Sequence, residues 1–147
     1  MYLAPALLAF ALVMAVAPAQ AESEMPDLTG KWACDPAPML IRGEWTELVY
    51  TIDIAEQRDA LFEGTFTWTL SEEIGVEGEK ISGEKALDGK WTGFGVIGWD
   101  NKTVEVVSYK DQQRHTGFLE DANTIRFVHS KIGDDAWVSR STCKRQG

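Results

Sequence analysis

Residues 61–70 read LFEGTFTWTL, and their alternation decides the fold class. Every second residue from Phe62 to Leu70 is apolar or glycine, while Glu63 and threonines occupy the positions between them. Successive side chains of a β-strand point to opposite faces of a sheet, so this stretch predicts a strand with one large aromatic face buried. Helical periodicity is almost absent from the chain after residue 21.

The same period-two pattern recurs along the chain and predicts about nine short strands. The predicted strands are Gly30–Cys34, Leu48–Ile54, Leu61–Leu70, Ser82–Thr92, Gly93–Trp99, Thr103–Tyr109, Thr116–Glu120, Thr124–His129 and Ala136–Lys144. Turn-forming residues separate most of them, and the polar, glycine-rich stretch Glu72–Gly83 is expected to form one long loop. Short strands with short connections are typical of an antiparallel meander, closed as a barrel or packed as a sandwich.

Residues 1–21 contain no charged side chain and end in Ala19-Gln20-Ala21. A short apolar run followed by a small-x-small pattern is typical of a cleaved secretory signal. We expect a signal peptide at residues 1–21, one β-barrel domain at residues 22–147, and a periplasmic or secreted location. Because Lys and Arg are missing ahead of the apolar run, the alternative is a retained membrane anchor. No integral membrane segment is expected after removal of the signal.

The charge balance narrows the possible partners. The chain has 14 Lys and Arg against 23 Asp and Glu, a net charge of −9. This excess of acidic residues argues against nucleic acid and against an anionic membrane surface as partners. The sequence has no CxxC and no Cys/His cluster, so we expect no metal site and no cofactor. It has no recognisable catalytic motif, so we expect no enzyme and name no catalytic residue.

Cys34 and Cys143 are the two cysteines of the chain. In an oxidising compartment a lone pair usually forms one disulfide, and closing a loop of about 100 residues would contribute about 4 kcal/mol. Two free thiols, or a catalytic thiol, are the alternative. Trp32 shares the parity of Cys34, so both face the same side. If the sheet closes, the first and last strands become neighbours, and we expect Trp32 to plug one end of a barrel.

Four short motifs resemble those of the calycin β-barrels, in particular avidin-like and lipocalin-like secreted bacterial domains. They are LTGKW (28–32), FEGTFT (62–67), FGVIGW (94–99) and IGDDAW (132–137), in matching order over most of the chain. The resemblance implies an all-β fold, an antiparallel up-and-down β-barrel of about eight strands with a ligand in its mouth. It does not extend to biotin, because Cys34 and Phe66 replace an Asn and a Tyr that would bond biotin. Arg126 likewise replaces a pocket Trp, whereas Trp99 matches one and Trp137 approximates another.

Five residues are candidates for contact with a ligand. His129 shares the parity of Ile125 and Phe127, so it should point inward and could orient a ligand. The alternative is a histidine at a strand end that is hydrogen-bonded or solvated. The other candidates belong to an aromatic set that also contains Trp91 and would line a cavity, or simply fill the core. They are Tyr50, Phe66, Trp68 and Trp99. His115 lies beside a turn and is expected to be exposed.

Two functions remain open, and catalysis ranks third behind both. The first is an exported barrel that binds a small apolar or amphipathic molecule in its interior. The second is a filled barrel that acts as a periplasmic or extracellular protein-interaction or inhibitor module, with Glu72–Gly83 as the functional loop. A cavity would favour the first, and a packed interior would favour the second.

Overall fold

The computed structural model describes residues 24–41, 43–71, 88–110, 112–134 and 136–147. Within these ranges it contains nine strands and no helix: β1 (Gly30–Cys34), β2 (Ala37–Ile41), β3 (Glu44–Arg58), β4 (Leu61–Ser71), β5 (Asp88–Ile97), β6 (Thr103–Ser108), β7 (Gln113–Asp121), β8 (Thr124–Lys131) and β9 (Trp137–Arg145). The expected signal peptide and the predicted loop Glu72–Gly83 lie outside the described residues. No helix long and apolar enough to cross a membrane occurs in the described ranges.

The strands close into an antiparallel barrel. From β3 to β9, each strand pairs with the next along the chain. β1 and β2 both pair with β3 on one side and with β9 on the other, so together they occupy one position and close the ring. The barrel therefore has eight positions, which confirms the predicted fold class.

Besides shifted strand ends, the predicted strand list misses one strand and divides another. It omits β2, a short strand that contains Pro38, and proline is uncommon inside strands. Ala33 pairs with Thr51 and Ala37 pairs with Leu48, so four residues of the β1–β2 segment lie opposite three residues of β3. The segment between β1 and β2 therefore contains one extra residue, which is a β-bulge. The list also divides β5 in two, yet the inward alternation continues through its glycines.

One end of the barrel is closed by the chain that enters β1. Leu28 and Trp32 are fully buried there, and the indole Nε1 of Trp32 donates a 3.0 Å hydrogen bond to the carbonyl of Leu28. The guanidinium of Arg145 lies 4.5 Å from the centre of the Trp32 ring, a cation–π contact. The prediction that Trp32 plugs one end is confirmed, and this end is called the plugged end below.

The first and last strands meet at a disulfide. Cys34 of β1 lies directly opposite Cys143 of β9, and the two are bonded. The predicted disulfide is therefore confirmed. The bond joins residues 109 positions apart, so it constrains the unfolded chain strongly.

Inward-facing glycines are covered by aromatic rings of neighbouring residues. A Cβ atom added to Gly95 would lie 2.0 Å from the Phe62 ring, and one added to Gly117 would lie 2.6 Å from the Phe127 ring. Such distances are far below van der Waals contact, so these rings occupy the space that larger residues would need. The interior is packed at these levels.

Candidate functional site

The end of the barrel opposite the plug differs in its lining. Four apolar side chains there are only partly buried and pack against the core: Ile41, Trp68, Leu70 and Trp137. Ile41 and Trp137 are direct partners across β2 and β9. We call this end the mouth. Because partly exposed aromatic groups surround it, the mouth is the part of the described barrel best suited to admit an apolar molecule.

Two histidines face each other directly below the mouth. His115 of β7 and His129 of β8 are opposite residues, and both are fully buried. Their Nδ1 atoms are 2.6 Å apart, and His129 Nε2 lies 2.6 Å from the hydroxyl of Ser141 on β9. They are the only histidines in the chain. We call them the imidazole pair.

The bond between the two Nδ1 atoms restricts where the protons lie. One Nδ1 carries a proton and the other accepts it, so neutral rings hold opposite tautomers. If His115 donates, His129 Nε2 carries a proton and donates to the Ser141 oxygen. If His129 donates, its Nε2 accepts from the Ser141 hydroxyl. His115 Nε2 is therefore an acceptor in the first arrangement and a donor in the second.

Aromatic rings from three strands enclose the imidazole pair. Tyr50 stacks on His129 with ring centres 4.6 Å apart. Trp91 stacks on His115 at 4.8 Å and on Phe66 at 4.1 Å, with interplanar angles of 16° and 6°. These contacts keep water away from the imidazoles and fix the ring planes.

Three buried polar atoms in this region have no hydrogen-bond partner among the described residues. They are the indole Nε1 of Trp91, the amide Oε1 of Gln113 and Nε2 of His115. They belong to neighbours, because Trp91 stacks on His115 and Gln113 precedes His115 by one inward position on β7. Leaving a buried polar atom unpaired costs about 1–3 kcal/mol, so three together need a physical explanation.

The site is polar but carries no charge at neutral pH. Burial lowers the pKa of His115 to about 3. Burial, together with repulsion from His115, also holds the pKa of His129 well below its ordinary value. Burial raises the pKa of Tyr50. The Trp91 indole N–H, which approaches the Tyr50 hydroxyl without forming a well-aligned hydrogen bond, acts in the opposite direction. Among the described residues, the buried side chains include no Asp, Glu, Lys or Arg.

The structure brings most of the predicted site residues together. His129 belongs to the imidazole pair, and Tyr50 and Phe66 stack against the pair. The prediction that His129 points inward is confirmed. Trp68 lies at the mouth. Trp99 lies apart from them: its side chain is fully exposed in the turn after β5, at the plugged end.

The prediction that His115 is exposed is wrong, because His115 is fully buried. Its strand begins three residues earlier than predicted, at Gln113, which places His115 inside the barrel wall rather than in the turn. Gln113 was not predicted as a site residue, and Trp91 was predicted only as part of the aromatic set. The alternation of inward positions at Gln113, His115, Gly117 and Leu119 was the signal that could have identified Gln113 and His115 as buried.

The described residues contain no group of three His, Cys, Asp or Glu side chains that could hold a metal ion. The site as described therefore offers hydrogen bonds and aromatic surface. Its two histidines are engaged with each other and with Ser141.

No family model matches this sequence, and no curated protein matches it. Three solved barrels are similar in structure. A de novo designed fluorescence-activating β-barrel is 15% identical, with 81% of this chain and 94% of that chain covered and a TM-score of 0.48. The S-type phycobiliprotein lyase CPES from Guillardia theta is 13% identical, with 82% and 89% covered and a TM-score of 0.49. A redesigned β-barrel is 12% identical, with 82% and 92% covered and a TM-score of 0.48. At these values no ligand or activity is carried over to this chain.

Proposed function

We propose that the protein is an exported, calycin-like barrel that binds a small apolar or amphipathic molecule through its mouth. The proposal assigns binding to the barrel and no catalysis. It combines the expected secretory signal with the difference between the two barrel ends. One end is plugged by Trp32, while the other has partly exposed tryptophans above unpaired polar atoms.

The observation that carries the proposal is the group of three unpaired buried atoms on Trp91, Gln113 and His115. Ligand sites are typically apolar and aromatic, with a few polar groups that fix the orientation of the ligand. The region below the mouth has this composition, since Trp91 and His115, which carry two of the three atoms, stack on each other and on Phe66. A bound molecule that paired these atoms would offset the cost of burying them.

Native mass spectrometry of protein isolated gently from the exported fraction tests this proposal. We expect an additional mass of roughly a few hundred daltons, the size of a drug-like ligand, that is released on denaturation. Trp137→Ala removes a mouth residue and should lower the fraction of protein that carries the mass. Trp99→Ala is the matched control, because it removes the same side chain at the plugged end and should leave that fraction unchanged. A bare chain in repeated preparations would contradict the proposal.

A second candidate function rests on the outer surface of the barrel. Five outward-facing apolar residues on β4, β5 and β6, and just after β6, remain exposed: Leu61, Phe94, Val96, Val107 and Tyr109. They are contiguous, because Leu61 pairs with Val96, Phe94 pairs with Val107, and the Tyr109 ring meets the Phe94 ring edge-on at 6.2 Å. Contiguous exposed apolar surface often marks a protein interface.

The second candidate is a protein-interaction module whose packed barrel binds a partner through this outer strip. Phe94→Ser should abolish capture of such a partner from the exported fraction without changing the thermal midpoint greatly, because the side chain points outward. Phe118→Ser is the matched control, since Phe118 is an exposed outward phenylalanine on β7 and lies outside the strip. Equal capture by both variants would count against the strip as an interface.

A further inference from the structure

We infer that the mouth takes an uncharged, flat ring system whose polar edge carries both a hydrogen-bond donor and an acceptor, and that the imidazole pair adapts its tautomers to that edge. This inference rests on the proposed binding function. It specifies the chemical class of the ligand at the same site. Four features of the site support it: the absence of charge, the parallel ring planes, two polar atoms with fixed hydrogen-bonding roles, and one polar atom whose role can change.

The first feature is the absence of a counter-charge. Buried polar residues in the described ranges are Thr46, Gln113, His115, His129 and Ser139, none of which is charged at neutral pH. A carboxylate or ammonium group brought among them would lose its hydration without gaining an ion pair. Burying an unpaired charge is far more costly than burying a neutral polar group. The site therefore selects against ions.

The second feature is the parallel arrangement of rings. Phe66, Trp91 and His115 lie with their planes within 19° of one another. A flat conjugated molecule can continue such a stack with little loss of contact, whereas a branched aliphatic one cannot lie against it as closely. Both Trp68 and Trp137 extend the aromatic surface to the mouth.

The third feature is the pair of unpartnered atoms with fixed roles. The Trp91 indole N–H can only donate, and it approaches the Tyr50 hydroxyl without a well-aligned hydrogen bond to it. Gln113 Oε1 can only accept. Trp91 is 7% exposed and Gln113 is 8% exposed, so water reaches neither side chain freely. A ligand that satisfies both must present an acceptor to Trp91 and a donor to Gln113. An apolar ring system would leave both atoms unpaired.

The fourth feature is the free Nε2 of His115, whose role is not fixed. It accepts or donates depending on the tautomers of the imidazole pair. Either arrangement is completed at the far end by the Ser141 hydroxyl, which can donate or accept. The pair can therefore meet either a donor or an acceptor on the ligand without breaking its own hydrogen bonds.

The test uses three probes of similar size and shape at pH 7.5: 2-quinolone, naphthalene and 2-naphthoate. 2-Quinolone is neutral with an adjacent N–H and carbonyl, naphthalene has no polar edge, and 2-naphthoate is an anion. Binding is measured with the full chain by quenching of tryptophan fluorescence, and by calorimetry where solubility allows. We expect 2-quinolone to bind at least about tenfold more tightly than either other probe, as expected for groups otherwise left unpaired.

Two variants locate the effect. Gln113→Met removes the acceptor and should reduce the preference for 2-quinolone over naphthalene about tenfold. Arg114→Met is the matched control, because it places the same side chain one residue later on the outer face and should leave the preference unchanged. If 2-naphthoate binds as tightly as 2-quinolone, or naphthalene does, the inference is wrong while a binding mouth remains. If none of the three binds, both the inference and the proposed function fail for ligands of this size.

Discussion

Acidification should destabilise the fold through the imidazole pair, well above the pH at which carboxylates titrate. Burial lowers the pKa of His115 from 6.5 to about 3, and the pKa of His129 is lowered as well. The folded protein therefore keeps both rings neutral over a pH range in which the unfolded chain protonates them. Stability from this source is complete above pH 6.5 and is lost as the pH falls from there towards about 3.

The size of the effect follows from proton linkage. A histidine in the unfolded chain has a pKa of about 6.5, so pH 5 lies about 1.5 units below that pKa. Its protonation there favours unfolding by about 2 kcal/mol. Because both histidines stay neutral in the fold, the free energy of unfolding should fall by about 4 kcal/mol between pH 8 and pH 5. That is a large share of the 5–15 kcal/mol that typically stabilises a domain. The pair should therefore dominate acid sensitivity above pH 4.5.

Urea denaturation at intervals between pH 4.5 and 8 measures this loss. His115→Gln/His129→Gln has no histidine left, so its stability should change little across the same range. Asp27 and Asp100 do not interfere, because the pKa of each is already lowered in the fold by hydrogen bonds from residues such as Thr29 and Thr103. Their contribution is lost only below pH 4. An equal pH slope in wild type and the double variant would refute the reasoning, and so would imidazole protonation near pH 6 in NMR titration of wild type.

Three further outcomes are expected. Gly95→Ala should lower the free energy of unfolding by about 1–3 kcal/mol, because the added Cβ would collide with the Phe62 ring. Gly64→Ala should lower it less, because the nearest atom to its added Cβ is 3.4 Å away. Chemical denaturation of both variants compares the two losses. Replacing Cys34 and Cys143 by serine should cost about 4 kcal/mol, and reduction of the wild type should reproduce that loss. Nitrogen-15 NMR of histidine-labelled protein at pH 7 should show one ring protonated at Nδ1 and the other at Nε2; two identical tautomers would contradict the bond between them.

Much of the barrel could be predicted from the sequence because period-two alternation depends only on which face of a strand is buried. The alternation of residues 61–70 corresponds to β4. The prediction missed β2, where Pro38 lies within a strand and its carbonyl accepts a 2.8 Å hydrogen bond from the Ser139 hydroxyl. The bulge between β1 and β2 leaves no clear pattern in the sequence.

The imidazole pair was harder to predict, because it depends on register. The two-residue turn between β7 and β8 aligns Asp121 with Thr124, and continuing that register would put His115 opposite Ser130. A bulge after Leu119 shifts the register by one residue and brings His115 opposite His129. Alternation alone indicates that each histidine points inward. It does not show that they meet.

The position of the disulfide also determines how the protein bears mechanical load. Chain entry into β1 and chain exit from β9 lie side by side at the plugged end, where Gln146 N–H donates to the carbonyl of Lys31. Tension applied between the two ends can peel apart only the few residue pairs before Cys34 and Cys143. Beyond them the force is transmitted through the covalent bond, so the 109-residue span between the cysteines is not stretched. In the oxidised protein, pulling on the ends therefore leaves the mouth and the imidazole pair unloaded.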